Sequence, residues 1–162
     1  MSVEEKDLYM EEDTQKDKYL SFVIGSEEYA IDIKYVTEII GFQPITEVPE
    51  LPEYIKGIIN LRGKIIPIID VRLRFKKEFK EYTDRTCVIV IKIDSLDVGF
   101  IVDGVSEVLS ILEEQIVPPP SAETGFSNKY IKGIAKNRDQ VKLILDCHRI
   151  LEGEELEKLA EV

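Results

Sequence analysis

Residues 54–75 read YIKGIINLRGKIIPIIDVRLRF. Apolar residues recur on both sides of Leu61-Arg62-Gly63-Lys64, which marks two strands, 55–61 and 64–70, joined by a tight turn. Gly63 supplies the backbone freedom that such a turn demands. Pro67 has no N–H to donate, so the second strand is expected at a sheet edge or at a bulge. Asp70 follows that strand and precedes a few residues at helix-like spacing, the place of an N-cap.

The same five letters, YIKGI, return at 130–134, an offset of 76. Continued without a gap, Arg62 meets Arg138, Ile68 meets Ile144 and Asp70 meets Asp146, a second expected N-cap. A further match at offset 69 pairs Val36-Thr37-Glu38-Ile39 with Val105-Ser106-Glu107-Val108, and the difference fits an insertion around Pro118-Pro119-Pro120. The chain therefore holds two related β-rich units, roughly 19–80 and 85–151, with exchange of strands between them left open by the sequence. Each is large enough for a small closed barrel but has little core of its own. Two such units are expected to pack together and leave a groove between them. The turns differ: Leu61-Arg62-Gly63-Lys64 in one, Asn137-Arg138-Asp139-Gln140 in the other.

Other segments agree. Leu20, Phe22 and Ile24 alternate up to Gly25-Ser26-Glu27-Glu28, and Tyr29, Ile31 and Ile33 resume the period. Thr86 to Ile93 and Val98 to Val102 flank Asp94-Ser95-Leu96-Asp97 as another hairpin, and Tyr130 to Ala135 with Val141 to Leu145 make the last. The expected class is all-β with short helices.

Charge bounds the partners. Acids exceed bases by eleven in 162 residues, which disfavours phosphate backbones and argues against nucleic-acid binding. The excess sits largely at the ends: 1–18 reads as a disordered acidic segment and 152–162 as an acidic tail able to form a short helix. By contrast 54–85 carries nine bases against four acids, most of them read as solvated loop ends. No apolar run is long enough to cross a bilayer, and the first residues are acidic rather than an export signal, so a cytoplasmic location is expected.

Catalytic signatures are missing. His148, the single histidine, adjoins Cys147, but neighbours on a helix point about 100° apart, so a Cys/His hydrolase is the weak alternative. With Cys87 these residues fall short of a zinc site, and Asp70 and Asp146 read as paired caps rather than an acid/base couple. No phosphate-binding, dinucleotide or hydrolase motif occurs. A module of this kind, with no cofactor and no metal, works by binding other proteins.

The stretch 54–75 resembles the signature of the CheW family, the coupling proteins of bacterial chemotaxis. YAIDIKYVTEII (29–40) and VGFIVDGVSEVL (98–109) extend the likeness over about 19–151. The resemblance implies two SH3-like five-stranded β-barrel subdomains in a non-enzymatic scaffold. It would link the cytoplasmic tips of methyl-accepting chemoreceptors to the regulatory domain of the histidine kinase CheA, reaching the membrane only through protein contacts. An adaptor of a non-flagellar chemosensory system is the alternative within the same family. By motif position, Val36, Glu38, Ile39, Gly57, Asn60, Leu61, Arg62 and Gly63 are candidates for receptor contact, with Gly99 and Val105 from the second unit. Val36, Ile39 and Leu61 would offer apolar anchors to a docking helix, although Val36 and Ile39 read equally as core. Arg62 would present its fork of donors to a carboxylate or carbonyl. Glu38 is placed to pair across the interface or with Arg62 itself, and Gly57 reads better as a point of close backbone approach. Exposed apolar residues on strand edges of the second unit would face the kinase, without the sequence naming them.

Overall fold

The computed structural model describes residues 15–120, 129–137, 139–153 and 158. Arg138 and most of both acidic ends, on which three expectations fall, lie outside the described residues.

Eleven strands are described: β1 (Lys18–Ile24), β2 (Glu27–Asp32), β3 (Val36–Gly41), β4 (Ile55–Leu61), β5 (Lys64–Asp70), β6 (Cys87–Ile93), β7 (Leu96–Val102), β8 (Gly104–Ser110), β9 (Ile116–Val117), β10 (Ile131–Asn137) and β11 (Gln140–Leu145). Two one-turn helices, α1 (Val71–Arg74) and α2 (Cys147–Ile150), each follow a strand. Asp70 Oδ1 accepts from the N–H groups of Arg72 and Leu73, and Asp146 Oδ1 from that of Arg149, so both aspartates cap as their positions suggest.

The strands form two sheets, ordered β8-β1-β2-β11-β10-β9 and β3-β6-β7-β5-β4. Position by position the orders correspond through the two sequence offsets: β8 with β3, β1 with β6, β2 with β7, β11 with β5, β10 with β4. The single parallel pair in each sheet, β11 with β2 and β5 with β7, falls at the same place. Each sheet thus draws strands from both halves of the chain. A register shift at Ile55/Gly57 is repeated at Ile131/Gly133. The duplication is legible down to its bulges.

The five-stranded sheet closes on itself. Beyond β3, Thr46 exchanges two 2.9 Å backbone hydrogen bonds with Ile58 of β4, joining the two ends of the sheet. Gly57 makes the closure possible: with φ 144°, a Cβ there would stand 2.1 Å from the Thr46 carbonyl oxygen. Pro67 departs from expectation. Its strand β5 lies between β4 and β7 rather than at an edge, and the register shift is elsewhere. The parallel ladder with β7 begins only at Ile68, so on that side no ladder bond is required of residue 67.

Alternation within the strands sorts the side chains into three cores. Ile59, Ile66, Ile68, Val88, Val90 and Ile101 fill one barrel, and Tyr19, Ala30, Leu109, Ile111, Ala135 and Ile144 the other. The largest cluster lies between the sheets, around the fully buried Phe22 and Phe100 with Leu20, Ile31, Ile69, Ile89, Leu145 and Ile150. Each such side chain contributes about 1.5–3 kcal/mol, so the joint stabilises at least as much as either barrel interior. Arg74 bridges the two repeats beside that joint. Its guanidinium lies 4.1 Å from the ring centre of Tyr54 and 5.3 Å from that of Tyr130, the equivalent residues of the repeat. Its Nε donates to the Ile150 carbonyl, 3.0 Å away, and a terminal nitrogen to that of Glu152.

Among the described residues no buried side-chain polar atom lacks a hydrogen-bond partner. Lys142, almost wholly buried, is held by Glu28 and by Ser21 Oγ at 3.2 Å, with Glu107 at 3.9 Å, which ties β11 to β2, β1 and β8.

Candidate functional site

The turn between β4 and β5 consists of Arg62 and Gly63, with φ of 53° and 85°. Two successive positive values define the primed turn that suits the right-handed twist of a hairpin. Asn60 Oδ1 accepts the Gly63 N–H at 2.8 Å and pins the turn. Glycine meets its conformation freely; arginine does so at a cost. The Arg62 side chain is nonetheless 70% exposed, so no burial compensates.

Its guanidinium donates instead to Glu38 of β3, forming an ion pair between the two end strands of the closed sheet. The hydrogen bond to Glu38, and then its charge, raise the Arg62 pKa further above its ordinary value. Glu38 is half-buried and reaches the seam because β3 shifts register against β6 between Val36 and Glu38. Thr37 Oγ1 donates to the Val90 carbonyl at 3.0 Å and fixes the shift.

The structure brings Glu38, Asn60, Arg62 and Gly63 together at one corner. Ile39 follows Glu38 on the opposite face of β3 and is 44% exposed. The others sit apart. Val36 packs against the core between the sheets and Leu61 against the barrel interior. Gly57 is buried beneath Thr46, and Gly99 is buried where a Cβ would stand 2.6 Å from Ile68 and 2.7 Å from Val88. Val105 belongs to the other sheet, opposite Phe22, and is half-buried against the central core. Sequence reasoning passed over Ile65, which lies opposite Asn60 and is 37% exposed. In the run Ile65-Ile66-Pro67-Ile68-Ile69 every residue is apolar, so no alternation marks the outward one.

A second exposed apolar group lies on the six-stranded sheet. Val108 of β8 and Val117 of β9 stand at its two ends, and Leu112 lies in the connection between them.

Cys147 and His148 form no couple. Cys147 is buried in the central core, and burial foremost pushes its thiol up to about 12, far from a thiolate at neutral pH. His148 points away, edge-on to the Tyr35 ring and 4.0 Å from Asp146. Among the described residues no three His, Cys, Asp or Glu side chains gather as a metal site, and no helix is long and apolar enough to cross a membrane.

Residues 18–155 match the CheW-like domain. The chain is 39% identical over 144 residues to the chemotaxis protein CheW of Klebsiella aerogenes, covering 89% of this chain and 87% of that protein. It is 34% identical over 138 residues to CheW of Bacillus subtilis, covering 85% and 88%. The scaffolding protein TtCheW from Thermoanaerobacter tengcongensis superposes with a TM-score of 0.79 at 39% identity, over 85% of this chain and 94% of that one.

Proposed function

This chain belongs to the CheW family of chemotaxis adaptors, and from that premise we propose that its Glu38–Arg62 corner grips the cytoplasmic tip of a chemoreceptor while a second face engages the regulatory domain of a CheA-type kinase. The observation that carries the first assignment is Arg62 itself. An arginine occupies a left-handed turn position that glycine or asparagine would fill more easily, and its guanidinium remains in solvent. Strain retained without burial is the mark of a group kept for a partner.

The receptor tip is a helical hairpin, and the corner offers what such a helix needs. Arg62 gives a directed fork of donors to a carboxylate or to carbonyls at a helix end. Ile65, opposite Asn60, and Ile39, next to Glu38 along β3, are the exposed apolar anchors of this barrel. Glu38 orients the guanidinium beforehand, which lowers the ordering cost of binding. Gly57 and Gly99 support this reading indirectly, by letting the barrel close and pack beneath the corner.

For the kinase we assign the exposed apolar side chains of the other sheet, Val108 and Val117 on its two end strands and Leu112 in the connection between them. An adaptor with two separate faces acts by simultaneous binding, raising the local concentration of kinase at the receptor, with no covalent step of its own. The domain proper is taken as 19–151, and the protein works at receptor arrays through these contacts.

The test is a co-sedimentation assay with a receptor-tip fragment and a CheA-type kinase. The wild-type chain is expected to bring both down in one complex. Arg62→Ala is expected to lose the receptor and keep the kinase, and Val108→Glu with Val117→Glu the reverse. Loss of both partners in either variant would overturn the two-face arrangement.

A further inference from the structure

Away from the Glu38–Arg62 corner, and sharing no residue with it, a cleft of about 330 Å³ opens between β2, the turn after α1, and β10. Its floor is a row of three aromatic rings. Phe75 lies 5.5 Å from Tyr29, and 5.3 Å from Tyr130 in a near-parallel stack. Its rim is basic: Lys76, Lys77 and Lys129 line it together with Arg74. Arg74 is already engaged by Tyr54, Tyr130 and two carbonyls; Lys129 stands 5.5 Å from the Tyr130 ring centre, a contact that leaves its charge uncompensated, so the three lysines are the charges left to meet an anion.

Among the described residues lining the cleft, one carboxylate faces them. Glu27 accepts the Tyr29 hydroxyl at 2.8 Å and stands 3.8 Å from Lys77. It neutralises one lysine at most, which leaves a cationic rim on a chain whose net charge is −11. A local excess of positive charge against so negative a background concentrates small anions at that spot. The cleft falls at the low end of ligand pockets, about 300–1,000 Å³, and is too small for a helix about 10 Å across.

We propose that this cleft binds a small aromatic anion, a flat ring bearing a phosphate or carboxylate. The ring lies against the Phe75–Tyr130 stack, and the anionic group reaches Lys76, Lys77 and Lys129. The site touches the joint between the barrels through Arg74 and Tyr130, so a bound ring would stiffen that joint.

The experiment titrates phenyl phosphate into the full chain labelled with ¹⁵N and follows the backbone amides. Shifts are expected at 74–77 and 129–131, and the combined Lys76→Ala, Lys77→Ala and Lys129→Ala variant is expected to bind about tenfold more weakly or worse. Lys76 and Lys129 are exposed, Lys77 is half-buried, and none belongs to a core cluster, so that variant is expected to keep its fold, which the unshifted amides of the two sheets check. Inorganic phosphate, lacking the ring, is expected to be weaker by a similar factor. Equal binding of inorganic phosphate, an unchanged affinity in the triple variant, or shifts centred elsewhere would each overturn the proposal. So would shifts at the same amides on removing 154–162 without ligand, because the acidic tail would then be the occupant.

Discussion

Arg62 and Glu38, twenty-four residues apart in the chain, meet where the two ends of one sheet close. The backbone bridge between Thr46 and Ile58 also holds this seam. The closure does not depend on the charges, and this separates what Arg62 does for the fold from what it does for a partner.

Reversing the pair tests that separation. Arg62→Glu alone is expected to lower affinity for a receptor-tip fragment by at least about tenfold, as for an arginine at the centre of an interface. Glu38→Arg combined with Arg62→Glu restores opposite charges across the seam, yet binding is expected to stay lost. Calorimetric titration reads the affinity, and both variants are expected to melt within about 2 °C of the parent. Recovery of binding in the double variant would mean that Arg62 serves only the seam.

The turn supplies an independent readout. Arg62→Asn puts the residue best suited to the first position of a primed turn beside Gly63. The melting temperature is expected to rise by about 1–4 °C while receptor affinity falls. A lower melting temperature would show that the left-handed backbone carries no strain worth relieving.

Two glycines are expected to behave differently on becoming alanine. At Gly57 the new methyl would collide with the Thr46 carbonyl, and the variant is expected to lose about 3 kcal/mol or more. At Gly63 nothing lies within 4 Å, so only the left-handed penalty applies, about 1 kcal/mol. Urea unfolding followed by circular dichroism measures both, and equal losses would contradict the described closure.

Lys142 invites a comparison of the same kind. Glu28→Ala leaves its ammonium buried with only Ser21 and the distant Glu107, and is expected to cost about 3 kcal/mol. Lys142→Met removes the buried charge and leaves Glu28 able to reach water, so its cost is expected to be smaller. Chemical denaturation of the two variants decides the order.

Cys147 makes a prediction in pH. Burial pushes its thiol up to about 12 in the folded chain, against about 8.5 for a free thiol. The unfolded chain therefore releases this proton first, and its contribution to stability, full below pH 8.5, declines as pH rises from there toward 12. At pH 8 iodoacetamide is expected to modify the half-buried Cys87 before Cys147, and both only in denaturant. Rapid labelling of native Cys147 would reopen the hydrolase reading.

The hairpins, the repeat and both aspartate caps were legible because each depends on residues close in sequence or on a five-letter identity. The order of strands was not. The pairings of β2 with β11 and of β5 with β7 join segments far apart, and alternation records which residues face inward but not which strand lies alongside. Pro67 misled for that reason: its missing donor was visible, the late start of the neighbouring ladder was not. Glu38 had two partners open to it in the sequence, and only the register shift at Val36/Glu38 turns it toward Arg62. Ile65 was hidden by a run apolar on both faces. Among the motif residues, Gly57 and Gly99 act through the space that they leave empty, which a motif records without saying why.

Because β1 and β2 complete the sheet built from β8, β10 and β11, while β6 and β7 complete that of β3, β4 and β5, no single cut of the backbone yields two finished barrels. Fragments ending and starting near residue 80 would each lack two strands and would have to fold upon one another. The intact molecule is then expected to melt in one step and to refold slowly, since its decisive pairings wait for distant segments. For a connector this is an asset: a pull applied at one barrel is borne by backbone that continues into the other.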